Sequence, residues 1–144
     1  TLAERKDGSI MAYLRDSGAA PQRVLVSESF DQGENWSFAT DFEIPNPSSS
    51  LEVTALKNGH WVMAYNDTEN NRNSWAVSLS SDEGKTWSWT RHIGISLDKS
   101  ESFSYPSLIQ AKDGKLHLTY SYRNPSGKTI MHAAFDEQWI KKGD

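Results

Sequence analysis

From Ile10 the chain alternates apolar and polar positions over short runs, first in IMAYLR and then in RVLVSES. The same period returns in WVMAYND and WAVSLSS, and again in LHLTYSYR and TIMHAAF. A period of two puts successive side chains on opposite faces of a pleated strand, a surface that β-branched and aromatic residues favour. The first run of each pair follows a turn signal: KDGS (Lys6–Ser9), KNGH (Lys57–His60) and KDGK (Lys112–Lys115). Asp-Gly and Asn-Gly between apolar runs are strong short-range hairpin signals. A strand also precedes each turn, in TLAER, LEVTAL and YPSLIQA, the first of them truncated. A short fourth strand is expected in SFATDFEI and in SWTRHIGI. No segment carries a helical period, so no helix is expected.

The turn glycines stand at 8, 59 and 114, which gives spacings of 51 (59 − 8) and 55 (114 − 59). About four antiparallel strands repeating at this period describe the blade of an all-β propeller. The expected blades are 1–45, 46–98 and 99–144. A β-sandwich also has short strands and turns, but the fixed repeat favours the propeller. Three units do not close a ring, because propellers typically have about four to eight blades. TLAERKDG reads as the tail of a strand running into a turn. The chain is therefore expected to be the C-terminal half of a larger propeller, with N-terminal blades missing.

Composition narrows the chemistry. The net charge of −4 argues against a nucleic-acid partner or an anionic membrane surface. No apolar run is long enough to span a bilayer. With no cysteine there is no disulfide, thiolate metal site or cysteine nucleophile, and the compartment is left open. His60, His92, His117 and His132 share no metal-ligand spacing, and no phosphate loop or Ser-His-Asp pattern appears. Neither a metal nor a cofactor is expected. His117 and His132 lie on alternating strands and read as packed or hydrogen-bonded.

Two stretches match each other: SFDQGENW (Ser29–Trp36) and SSDEGKTW (Ser80–Trp87). The shared positions are Ser29, Asp31, Gly33 and Trp36 in one, and Ser80, Asp82, Gly84 and Trp87 in the other. Asp accepts from backbone N–H groups in a tight turn, Gly supplies a conformation other residues resist, and Trp covers the hairpin. Calcium is a poor fit, since each turn offers few carboxylates for a site of about six to eight oxygens. The turn resembles the Asp-box, or BNR repeat, of the sialidases (neuraminidases), whose fold is a six-bladed propeller. Asp-boxes lie on the blade periphery, so they imply a framework and not a site.

Three further segments carry the resemblance towards the centre. Glu4 to Arg15, ERKDGSIMAYLR, resembles a sialidase segment in which a catalytic Glu precedes an inner turn and a substrate Arg follows it. Arg72 begins RNSWAVSLSSD, as an arginine of the family's triad begins the strand leading into an Asp-box. SFSYPSLIQAKDGKLHLTYSY is similar to the bacterial "predicted neuraminidase" branch, with the nucleophilic Tyr at Tyr105 and Pro106 where sialidases have Ser.

The resemblance implies a retaining exo-sialidase-like glycosidase acting on a sialylated or other acidic glycan. Tyr105 is its nucleophile, Glu4 its base, and Arg15 and Arg72 hold the substrate carboxylate. Arg suits that task because its planar fork binds carboxylates bidentately. A neutral Tyr is not repelled by an acidic sugar, and sialidases are the named Tyr-nucleophile exception among glycosidases. Glu52 is a further substrate-contact candidate on the second inner strand.

Each residue also has a plainer reading. Tyr105 could be a channel-lining aromatic, Glu4 a solvated charge, Arg15 a surface strand residue and Arg72 a solvated residue of NDTENNRN. Arg123, beside a turn, is read as solvated. The third triad Arg and an Asp acid/base belong to the family's first blades, which this chain does not contain. A non-catalytic propeller that binds glycans or a protein stays open, as does a glycosidase or lyase acting on another acidic sugar.

Overall fold

The computed structural model describes residues 1–144. Three antiparallel sheets follow one another along the chain. The first contains β1 (Leu2–Glu4), β2 (Ile10–Leu14), β3 (Arg23–Ser29) and β4 (Thr40–Pro45). The second contains β5 (Glu52–Ala55), β6 (Trp61–Tyr65), β7 (Ser74–Ser80) and β8 (Trp89–Ile95). The third contains β9 (Ser102–Gln110), β10 (Leu116–Asn124) and β11 (Gly127–Phe135), three strands where four were expected. Within each sheet the strands pair in sequence order, as hairpin connections dictate.

β1, β5 and β9 lie side by side as the inner strands. Their joints are made by side chains and not by a backbone ladder. Thr1 Oγ1 donates to Val53 O at 3.3 Å, and Thr54 Oγ1 donates to Leu108 O at 3.2 Å.

The second sheet is packed on both faces, which is why β6 and β7 are buried along their whole length and not in alternation. Towards the first sheet, Tyr13, Val24, Trp61 and Met63 form one core. Towards the third, Trp75, Leu79, Phe103, Leu116 and Leu118 form the other. By contrast, most of β11 is exposed, because nothing covers the outer face of the third sheet.

After β11 the chain turns back over the second sheet as a short helix, α1 (Glu137–Lys141), where no helix was expected. At five residues it is too short to show a period, and tertiary contacts hold it. Asp136 caps it by accepting from Trp139 N at 2.8 Å, and Ile140 is fully buried. Arg91 lies over the Trp139 ring at 4.1 Å and donates to Trp139 O. Glu137 pairs with His60, and Asp144 pairs with His92.

Candidate functional site

Both Asp-boxes close by the same bonds. Ser29 Oγ donates to Asp31 Oδ1 at 2.9 Å and accepts from Gly33 N at 2.8 Å, while Asp31 takes Asn35 N at 2.8 Å. Ser80 Oγ donates to Asp82 at 2.8 Å and accepts from Gly84 N at 2.9 Å, and Asp82 takes Thr86 N at 2.8 Å. Backbone and side-chain bonds from Asn35, then the Ser29 hydroxyl, hold the Asp31 carboxyl below the usual range. For Asp82 burial pushes upward, but bonds from Thr86 and Ser80 outweigh it and the net shift is also downward. These hydrogen bonds hold each turn internally.

The two boxes differ in what covers them. Trp87 sits edge-on to Tyr13 of the first sheet at 6.1 Å, and Arg5 and Lys6 both reach Glu83. The first box has no sheet beneath it, and Phe30, Trp36 and Phe38 are exposed.

Tyr105 lies on β9 at an irregularity. Ser104 pairs with Ser121 and Ser107 with Thr119, so Tyr105 and Pro106 together oppose Tyr120. That is a β-bulge, which re-aims side chains next to functional sites. Tyr105 takes φ +55°, a value strained for a bulky residue, and the residue is 61% exposed. Its backbone N–H donates to Ser50 Oγ on the approach to β5, at 3.1 Å.

Around Tyr105 opens a cavity of about 520 Å³ whose lining includes Arg72, Ser102, Tyr122, Arg123 and Lys128. Arg72 is anchored there by donating Nη2 to Ser48 O at 2.8 Å, and its carbonyl accepts from Phe103 N. The Tyr122 hydroxyl donates to Glu101, which raises its pKa and fixes the ring. None of the ten lining residues is a carboxylate.

Arg15 follows β2 at the same end of the sheets. It lines a smaller cleft with Thr1, Leu14 and Ser50, so Ser50 borders the Arg15 cleft and bonds to Tyr105. Glu52, the first residue of β5, is half-buried. Burial raises its pKa, and it does not line the Tyr105 cavity.

Glu4 is placed differently from its expected role. It pairs with Ile10 beside the β1–β2 turn and lines a separate cleft with Lys6, Ala55, Lys57 and Glu83. The inner strands run in the same direction, so Glu4 is level with Ala55 and Tyr105 with Ser50. Five residues of strand separate those levels, about 16 Å at the usual rise. The structure thus places Arg72 on the lining of the Tyr105 cavity and Arg15 in a neighbouring cleft that Ser50 borders, and leaves Glu4 at the far end. Counting from the turn glycines, the position of the first sheet level with Tyr105 precedes Thr1.

Sequence reasoning read Arg123 as solvated and passed over Tyr122 and Lys128 as site residues. Their signal was available, because Arg123 and Lys128 flank the Asn124–Gly127 hairpin turn as directly opposed partners.

These sheets are blades of a β-propeller of the sialidase type. The BNR repeat-like domain family matches residues 1–118, and the chain belongs to that family. No curated relative matches by sequence. Among solved structures, the chain is similar to the intramolecular trans-sialidase from Ruminococcus gnavus, solved with oseltamivir carboxylate. That match has a TM-score of 0.80 at 19% identity and covers 98% of this chain and 33% of that one. The NanB sialidase of Streptococcus pneumoniae gives 0.76 at 14% identity, over 97% of this chain and 23% of that one. An α-L-arabinanase of Penicillium chrysogenum gives 0.69 at 19% identity, over 94% and 44%. At these identities the likeness is one of fold. The chain spans a third or less of the two sialidases.

Proposed function

We propose that the chain is the C-terminal part of a retaining glycoside hydrolase that releases a terminal acidic sugar, sialic acid, from glycans. One observation carries this reading. A tyrosine in strained backbone geometry projects into a cavity that holds an anchored arginine and no carboxylate. Such a site repels neither an acidic sugar nor the charge it carries. In this reading Arg72 and Arg15 hold the substrate carboxylate, and the Tyr105 hydroxyl attacks the anomeric carbon as the glycosidic bond breaks. Tyr105 needs a base for its proton, because a phenol titrates near pH 10. Glu4 is too far along the strand. The reading assigns the base, the acid and the third arginine to blades that precede Thr1 in a longer protein.

Release of a fluorescent aglycone from an aryl α-sialoside tests this, with the natural full-length protein beside its Tyr105→Phe variant. Turnover in the wild type and its loss in a folded variant is the expected result. Equal turnover in both would remove Tyr105 from the mechanism.

That no carboxylate of this chain lines the Tyr105 cavity also fits a second reading, a propeller that binds acidic glycans without cleaving them. Glycan binding that survives Tyr105→Phe, with no product from the wild type, would establish that reading instead.

A further inference from the structure

Arg123 on β10 and Lys128 on β11 are direct cross-strand partners across a two-residue turn. Like charges opposed in a sheet destabilise it, so the fold does not explain the pair. Neither side chain has a carboxylate within salt-bridge distance, nor does Arg72. All three line the Tyr105 cavity, which no acidic side chain lines; Glu101 borders Arg123 in an adjoining cleft, and its carboxylate accepts from the Tyr122 hydroxyl. The molecule as a whole is negative, at −4, so this concentration of positive charge is local. A rule of local stability broken at the rim of a cavity marks a place where a ligand supplies the missing partner.

Resting on the reading above, we infer that Arg123 and Lys128 form a second anion subsite. Arg72 faces the carboxylate of the sugar being released, and the hairpin pair takes a sulfate or carboxylate on the neighbouring sugar of the glycan. Arg123 offers a planar fork for a bidentate contact, and Lys128 a movable point charge. The subsite makes the preferred substrate a glycan with anionic groups on two adjacent residues.

Calorimetric binding to the full-length protein carrying Tyr105→Phe tests this with three ligands. They are sialyllactose, sialyllactose sulfated on galactose, and sulfated lactose without the acidic sugar. The sulfated sialoside is expected to bind about tenfold more tightly than the plain one, the scale of one charged hydrogen bond. Arg123→Gln with Lys128→Gln should bring that ratio to about one, and Arg123→Glu with Lys128→Glu should invert it. Thermal midpoints of the Gln variants should hold or rise, since a like-charge pair is relieved. Equal binding of the two sialosides, or a ratio unchanged in the Gln variant, would overturn the subsite. If plain sialyllactose does not bind but sulfated lactose binds only with Arg123 and Lys128 present, the subsite stands and the sialidase reading falls. Failure of all three ligands would overturn both.

Discussion

Tyr105 and Ser50 join two inner strands at the cavity, the tyrosine backbone N–H donating to the serine hydroxyl at 3.1 Å. The bond reaches Tyr105 where the bulge leaves the β9–β10 ladder irregular, so Ser50 holds the Tyr105 backbone at that point. Ser50→Ala is expected to lower kcat/KM about tenfold while costing roughly 1 kcal/mol of stability or less, the range of one exposed hydrogen bond. Kinetics and a urea titration on the same variant separate the two effects. A stability loss without a kinetic one would make Ser50 structural only.

The two Asp-box glycines occupy the same place in the same turn and face different surroundings. A Cβ on Gly84 would stand 2.2 Å from the Tyr13 hydroxyl and 2.8 Å from the Trp61 ring, at φ +80°. A Cβ on Gly33, at φ +91°, meets only Trp36 at 3.7 Å. Gly33→Ala should therefore cost about 1–2 kcal/mol of conformational strain. Gly84→Ala should add overpacking, for a total of about 2–5 kcal/mol. Urea midpoints of the two variants compare them directly, and equal losses would show that the first sheet does not press on the second box.

The lowered carboxyl of Asp82 has a defined pH signature. A group whose folded pKa lies below its unfolded one adds stability above the unfolded value, near pH 4, and loses it as pH falls through the folded value. The thermal midpoint of Asp82→Asn should lie below that of the wild type at pH 7, and the gap should narrow as the pH falls below about 4. A gap that stays constant on acidification would remove Asp82 as a source of acid sensitivity.

The C-terminal helix is pinned by one fully buried aliphatic side chain and a ring of polar contacts. Ile140→Ala should cost about 2–5 kcal/mol if the loss is felt globally. Hydrogen exchange should then accelerate in residues 136–144 and in β8, with β2 unaffected. Unchanged exchange at β8 would show that α1 contributes nothing to the second sheet.

The repeat was legible because its turns need glycine at fixed places, and Gly8, Gly59 and Gly114 all adopt positive φ. The Asp-boxes were legible for the same reason, each being a closed set of local hydrogen bonds. Other features depend on what packs where. SWAVSLS alternates in sequence but is buried throughout, because sheets cover both faces of β7. Asp136 to Lys141 folds as a helix only because Ile140 finds a pocket on the second sheet. Glu4 fitted a spacing but not a level, since a match to a turn motif does not say which end of an inner strand a side chain occupies. Arg123 was read as solvated because a lone arginine near a turn usually is. Its pairing with Lys128 became meaningful once both lined the cavity of Tyr105.

The joints between inner strands link residues 52 to 55 positions apart, whereas the Asp-box bonds span two to four. Short loops close early and at little entropic cost, and long ones close late. The rim of the molecule can therefore assemble blade by blade, while the surroundings of Tyr105 take shape only after whole sheets have docked. The order reverses on heating. The few hydroxyl-mediated bonds that set the spacing of β1, β5 and β9 yield before the ladders do, so thermal inactivation should precede the loss of β-structure.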